Sequence, residues 1–161
     1  MNTRMHTMIT TLIVLLSGGS LSQVIQAQED ESAAIIAIID AIEKGWEQGD
    51  GTPFRKHYLD VDGARYIEGG GQNKGLTDLV EHHVEPEGEA LSDFELSLTD
   101  IEVHVEGDFA WAIADVEVMA TVNKDSREIH NRGFETFLFR RVENEWKVVH
   151  THSSSRPVKK D

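Results

Sequence analysis

Two histidines near the end of the chain, His150 and His152, lie two residues apart in the stretch WKVVHTHSSSRP at 146–157. Side chains alternate along a strand, so both imidazoles would point to one face of a sheet. Histidine ionises near neutral pH, and its ring nitrogens also bind metals. The pair therefore indicates either proton transfer or metal binding, and a neighbouring carboxylate would favour the first.

Glu135 is the candidate carboxylate, because a tight hairpin would bring it opposite these histidines. If Glu143 and Asn144 form a two-residue turn, Glu135 faces His152 across the last two strands. The same register predicts three further pairs: Val142 with Glu145, Phe137 with His150, and Gly133 with Ser154. A three-residue loop would shift the pairing by one residue and separate Glu135 from His152.

One sheet face would then combine an apolar end with a polar end, which is typical of a small-molecule pocket. His83 lies on the apolar face of the third predicted helix and is expected to pack over this sheet, with His82 nearer the rim. We assign catalytic roles to His150, His152 and Glu135. The predicted pocket lining is His82, His83, Phe137, Trp146, Ser154 and Arg156.

Three interpretations of this cluster remain open. The first is a pocket for a small, partly apolar molecule, with a histidine oriented by Glu135 for acid-base chemistry and no cofactor. The second is a zinc or copper site formed by His83, His150 and His152. The third is a buried hydrogen-bonded network that only fixes the last strand.

Three helices precede these strands. Isoleucines at helical spacing predict a long amphipathic helix over 32–49, and Thr52-Pro53 begins a short one that ends near Tyr58. ARYIEGGG at 64–71 indicates a brief strand with a glycine turn. GLTDLVEHHVEPEG predicts a third helix that Pro86 ends at about Glu85.

Beyond residue 90 the apolar residues alternate with period two. The apolar face changes parity around Thr99-Asp100, which predicts a bulge that bends the sheet. Turns at EGD (106–108), NKDS (123–126) and Glu143-Asn144 divide the remainder into a four-stranded antiparallel meander. The predicted fold class is α+β, a cone-shaped roll in which three N-terminal helices pack on a strongly curved antiparallel sheet that encloses a pocket.

Some polar residues of the meander are interpreted as solvent-facing. Asp115 and Glu117 share one face of the central strand, and the alternation DVEV indicates a solvated face. Arg132 has the parity opposite to Glu135, so we expect it to form a salt bridge on the outside.

This order of elements resembles the nuclear transport factor 2-like superfamily over about residues 31–156. The runs GLTDLVEHHVEPEG, GDFAWA and GFETFLFRRVENEWKVVHTHSSSR are similar to SnoaL-like and ketosteroid-isomerase-like exported bacterial proteins. The resemblance implies a curved sheet around a pocket, and homodimers that pair through the outer sheet face. Steroid isomerases of this kind use a carboxylate base with a tyrosine and a protonated acid; the only tyrosines here, Tyr58 and Tyr66, are not assigned to that role.

The first residues read as an export signal. Arg4, the apolar run Met8–Leu16 and the small-residue site ending at Ala27 predict cleavage that leaves a single SnoaL-like domain at 28–161, periplasmic or secreted. The run is too short to span a bilayer, so no membrane insertion is expected after cleavage. Losing Arg4 leaves 14 basic against 29 acidic residues, which argues against nucleic acid as a partner. The chain has no cysteine and therefore no disulfide.

Overall fold

The computed structural model describes residues 19–159. Its helices are α1 (Gly19–Gln48), α2 (Thr52–His57), α3 (Leu76–Leu79), a π-helical segment (Val80–Val84) and α4 (Glu85–Ala90). Its strands are β1 (Arg65–Glu68), β2 (Gly71–Lys74), β3 (Leu91–Glu106), β4 (Phe109–Val122), β5 (Arg127–Val142) and β6 (Glu145–Pro157). The predicted α+β order of helices followed by a meander is confirmed, with the polar strand β2 as an addition.

Helix α1 supplies one side of the core. Its isoleucines 35, 38, 39 and 42 recur at helical spacing and are all buried against the sheet. The helix begins earlier than predicted and runs through Ala27, whereas Arg4 and Met8–Leu16 lie outside the described residues. Within the described part of the chain, no helix is both long and apolar enough to cross a membrane.

Two carboxylates of α1 cover the open edge of the sheet. Strand β3 is an edge strand, so one row of its backbone N–H groups has no partner strand. Glu47 accepts a hydrogen bond from the N–H of Leu96 at 3.3 Å, and Glu43 accepts one from the N–H of Leu98 at 3.0 Å. These bonds fix α1 along the edge of the sheet.

The third helix does not end where predicted. Pro86 lies in the first turn of α4, which continues to Ala90. The helical run continues through Pro86 because the segment before it is π-helical, with the Glu85 N–H donating to the carbonyl of Val80 five residues back. The preceding π-helical segment widens the turn that carries His82 and His83. The expected stop at Glu85 is therefore wrong.

The six strands form one open, curved sheet in the order β2-β1-β6-β5-β4-β3. All neighbours are antiparallel except β1 and β6, which pair in parallel. The predicted bulge in β3 is confirmed as a register shift between Thr99 and Glu102, where Asp100 has a φ of 50°. A second shift lies between Ser92 and Glu95. Such shifts bend a strand, which accounts for the cone-shaped sheet around α1.

The last hairpin has the predicted turn but not the predicted register along its whole length. Val142 pairs with Glu145 and Phe139 with Val148, as expected. The next pair is Leu138 with His150, so Val149 is an extra residue and the pairing shifts by one. Phe137 then faces Thr151, and Glu135 faces Ser153. A one-residue shift moves every later side chain to the opposite face.

Candidate functional site

A cavity of about 150 Å³ lies between the concave face of the sheet and the helices. Its position follows from the sheet, because the bent strands β3 to β6 curve over the end of α1. Apolar side chains form much of its wall: Trp46, Ile67, Leu79, Leu91, Phe94, Leu96, Val116, Val118 and Ile129. Its polar lining is Tyr58, Tyr66, Glu68, Asn73, Glu87, Asn131, Glu135, Thr151, Ser153 and Ser155.

Glu135 is the group in this cavity whose ionisation differs most from that of a free carboxyl. It lies on β5 between Ala114 of β4 and Ser153 of β6, and it forms no hydrogen bond or ion pair with the described residues. The accessible area it retains borders the cavity, and protein surrounds the carboxyl group. Burial, reinforced by the nearby charge of Glu68, raises the pKa of Glu135 to about 8. Glu135 is therefore protonated at neutral pH.

Two tyrosines line the same cavity. Their rings meet edge to face with centroids 5.0 Å apart, and both side chains are buried. Burial raises the pKa of the Tyr58 hydroxyl, and the buried hydroxyl of Tyr66 has no hydrogen-bond partner among the described residues. Burial also raises the pKa of Tyr66, to about 12, so its hydroxyl stays neutral. A buried hydroxyl without a partner is costly, and a bound molecule would satisfy it.

A histidine-carboxylate cluster lies beside this cavity. His83 Nε2 is 3.3 Å from Oε2 of Glu68 and 3.3 Å from Oε1 of Glu87. Its Nδ1 lies 2.8 Å from the side-chain nitrogen of Asn73, and its ring packs edge to face on Trp46. The hydrogen bond with Glu87 raises the pKa of His83 despite partial burial. The cluster joins β1, β2 and α4 through one side chain.

The histidines that motivated the acid-base prediction lie elsewhere. Beyond the extra residue Val149, His150 and His152 share the outer face with Leu138 and Thr136. His150 Nδ1 lies 2.6 Å from the carbonyl oxygen of Arg65 in β1, and His152 is exposed. The structure therefore does not bring these histidines to Glu135. The predicted pairing of Glu135 with His152 is wrong because the prediction assumed an unbroken register.

The proposed metal set is separated in the same way. His83 lies at the cavity side, whereas His150 and His152 lie on the outer face. Among residues 19–159, no group of three or more histidine, aspartate or glutamate side chains is arranged to hold a metal ion. The structure thus does not assemble the predicted zinc or copper site.

The remaining predicted pocket residues divide between core and surface. Phe137 and Trp146 are buried at the apolar end, and Trp146 Nε1 donates a 2.6 Å hydrogen bond to Glu31. Ser154 and Arg156 face outward as partners of Phe134 and Arg132, so Ser153 and Ser155 line the cavity instead. His82 is exposed. Of the nine predicted site residues, Glu135 lines the cavity directly, and His83 contacts residues that do.

Four residues of the lining were not predicted as pocket residues: Trp46, Tyr58, Tyr66 and Glu68. A usable signal was present for two of them. Tyr66 and Glu68 lie two apart on the predicted strand 64–71 and therefore share a face, the same spacing argument that was applied to the histidines. Trp46 and Tyr58 lie at helix ends, and the spacing of residues along a helix does not show which residues pack against its end.

The cavity combines apolar walls with a protonated carboxyl and neutral hydroxyl groups. A carboxyl with a pKa near the operating pH can both give and take a proton. An engineered cavity of about this volume in another protein holds benzene. The geometry thus suits one ring-sized molecule held close to a proton-exchanging group.

Comparisons with known proteins agree with this architecture. A profile described as the SnoaL-like domain matches residues 35–159. An NTF2-like superfamily protein from Salmonella enterica serovar Typhimurium is 20% identical, with a TM-score of 0.71 over 84% of this chain and 96% of that one. LinA is 17% identical, with a TM-score of 0.69 over 81% and 91%.

A proposed dehydratase of the NTF2-like family from Streptomyces avermitilis is 19% identical, with a TM-score of 0.67 over 81% of this chain and 97% of that one. No curated protein matches the chain. At these identities the structural likeness shows the fold alone, so the chemistry rests on the chain's own residues.

Proposed function

The chain belongs to the SnoaL-like domain family, and from that premise we propose that its cavity binds a small, partly apolar organic molecule with which Glu135 exchanges a proton. The observation that carries the proposal is the Glu135 carboxyl, which faces the cavity without a partner and has a pKa raised to about 8. The chemistry open to such a group is general acid-base catalysis of an isomerase or lyase type. His150 and His152 have no part in it.

The apolar walls of the cavity exclude water, which favours the binding of a partly apolar molecule. A molecule that fills a cavity of about 150 Å³ is roughly the size of one six-membered ring with a substituent. The unpartnered hydroxyl of Tyr66 and the carboxyl of Glu135 give this ring two polar contacts that set its orientation.

The test is a binding screen with a cavity-filling variant. Saturation-transfer NMR on a panel of single-ring compounds is expected to detect binders to the unmodified protein. Val116→Phe fills the cavity from β4 and is expected to abolish their signals. Ile113→Phe places the same ring on the outer face of the same strand and should leave them intact. Equal signals from both variants would contradict the proposal.

A second candidate function is self-association through the outer sheet face. Phe109, Ile113 and Phe134 are large apolar residues on that face and are 41%, 40% and 59% exposed. Contiguous exposed apolar surface is typical of protein contacts. Light scattering of the unmodified protein and of Phe134→Glu tests this candidate, which predicts a dimer that the substitution converts to a monomer.

We also propose export with cleavage after Ala27. Support comes from the sequence pattern and from the exposure of residues 25–30 on α1, since a protease needs access to its site. N-terminal sequencing of protein recovered from the periplasm or medium is expected to begin at Gln28. An uncleaved chain in the cytoplasm would contradict this proposal.

A further inference from the structure

We propose that the molecule held in the cavity is a small organic cation, an ammonium group carried on a ring-sized apolar body. This inference rests on the proposed function and names the chemical class of its ligand. It draws on the charge of the lining residues, on the unpartnered Tyr66 hydroxyl and on the aromatic walls.

Apart from the two tyrosines, the ionisable side chains of the described lining are all acidic: Glu68, Glu87 and Glu135. His83, whose raised pKa favours its cationic form, contacts Glu68 and Glu87 and does not itself line the cavity. A bound anion would meet three acidic groups against one histidine, which is unfavourable beside carboxylates that are partly withdrawn from water. A bound cation would neutralise them.

The unpartnered hydroxyl of Tyr66 is independent evidence for a ligand with a polar group. The tyrosine is 1% exposed, lines the cavity, and its oxygen has no partner among the described residues. An ammonium group has three N–H donors and no acceptor. It can therefore donate to the Tyr66 oxygen and to the carboxylate form of Glu135 at the same time.

The aromatic lining adds a second attraction for positive charge. Trp46, Phe94, Tyr58 and Tyr66 all border the cavity. Aromatic rings attract organic cations through the negative potential of their faces, and the attraction is larger where water is excluded. Alkyl ammonium ligands in aromatic pockets are held in this way. The cavity pairs such rings with carboxylates.

The inference predicts that binding releases a proton. In the empty cavity Glu135 is protonated at neutral pH, because burial and the charge of Glu68 disfavour its carboxylate. The other ionisable groups facing it are Tyr58 and Tyr66, which stay neutral, and Glu87, which His83 contacts. An ammonium group beside Glu135 reverses this balance and favours the carboxylate. Affinity should therefore rise as the pH approaches 8.

The experiment uses three probes that share one ring and differ in charge: benzylammonium, benzyl alcohol and benzoate. Isothermal titration calorimetry of the mature protein at pH 7, in phosphate and in Tris, gives both affinity and the number of protons released. Benzylammonium is expected to bind at least roughly tenfold more tightly than benzyl alcohol, with release of up to one proton, and benzoate should not bind.

Two variants serve as matched controls. Glu135→Gln keeps the size of the side chain and removes its charge, so it should abolish both the preference for benzylammonium and the proton release. Glu117→Gln makes the same change on the outer face and should alter neither.

The outcomes separate this inference from the proposed function. If benzyl alcohol binds to the cavity as tightly as benzylammonium, or if no proton is released, the inference is overturned and the proposed function stands. If none of the three probes binds, both are overturned.

Discussion

Glu117 and Glu135 lie on neighbouring central strands but on opposite faces of the sheet, and their ionisation differs accordingly. On the outer face, Glu117 Oε1 lies 2.6 Å from His130 Nε2 and 2.8 Å from Arg132 Nη2, and these bonds lower its pKa. On the inner face, Glu135 forms no hydrogen bond or ion pair with residues 19–159, and burial raises its pKa to about 8. The same residue type is a charge-paired surface group in one place and a buried, protonated carboxyl in the other.

This difference teaches that the face of the sheet, rather than the residue type, decides which polar residues can do chemistry. The outer cluster of Glu117, His130 and Arg132 holds a histidine next to a carboxylate, the very pattern that suggests catalysis in a sequence. The charges of these three side chains are balanced by their contacts with one another at the solvent-exposed surface. Among the described residues the inner carboxyl has no histidine beside it, and burial raises its pKa to about 8.

The largest expected effect contrasts two phenylalanines of β5. Phe137 is fully buried on the inner face, and Phe134 is 59% exposed on the outer face. Phe137→Ala should lower the free energy of unfolding by about 3–5 kcal/mol, because it leaves a cavity in the core. Phe134→Ala should change it by less than about 0.5 kcal/mol. Urea denaturation measures both, and similar losses would contradict the assignment of faces.

The next effect is the pH dependence that Glu135 imposes on stability. Its folded pKa of about 8 lies above the ordinary value of 4.5, so between these values the folded state keeps a proton that the unfolded chain has released. Stability should therefore fall as pH rises from about 4.5 to about 8, by on the order of 3 kcal/mol after allowance for water in the cavity.

Glu135→Gln should remove this decline, so the variant becomes more stable than the unmodified protein at pH 8. Denaturation midpoints at a series of pH values provide the measurement. A decline that persists in the variant would assign it to another group.

A smaller effect is expected at the cluster beside the cavity. The folded pKa of His83 is raised, so its contribution to stability is fully present below the unfolded pKa near 6.5 and is lost as pH rises through the folded pKa. His83→Gln should cost on the order of 1 kcal/mol near pH 6 and little near pH 9. His82→Gln, at an exposed neighbour, is the control and should cost nothing measurable at either pH.

The smallest effect is expected at Glu117, and it has the opposite sign to that at Glu135. A lowered folded pKa contributes stability above the unfolded pKa, and this contribution is lost as pH falls through the folded pKa. Glu117→Gln should therefore slightly destabilise the protein at neutral pH and matter less below pH 4. Stabilisation at neutral pH would contradict the contrast with Glu135.

Much of the fold could be predicted because it depends on local patterns. The isoleucines of α1 carry helical periodicity, and the parity change at Thr99-Asp100 marks the observed bulge. Strand β2 was missed because GQNK has no apolar alternation. The prediction ended the third helix too early. It assumed that an α-helix precedes Pro86, whereas a π-helical segment does.

The site could be predicted only in part, because it depends on register over a long hairpin. The turn fixed the first pairs of β5 and β6, but the extra residue Val149 carries no sequence mark, since it continues an apolar run. One residue was enough to send His150 and His152 outward and to bring Ser153 beside Glu135. Glu135 does point to the inner face, as predicted, because that prediction depended only on the alternation of side chains within β5.

The most direct test of the account is the pKa of Glu135 itself. Carbon-13 NMR of protein labelled at the glutamate carboxyl carbons, with the Glu135 resonance identified by its absence in Glu135→Gln, follows the titration of that one group. The account predicts a midpoint near 8 in the free protein. A midpoint near the ordinary 4.5 would mean that the carboxyl is solvated and charged at neutral pH, and it would contradict the claim that the inner face holds a proton-exchanging group.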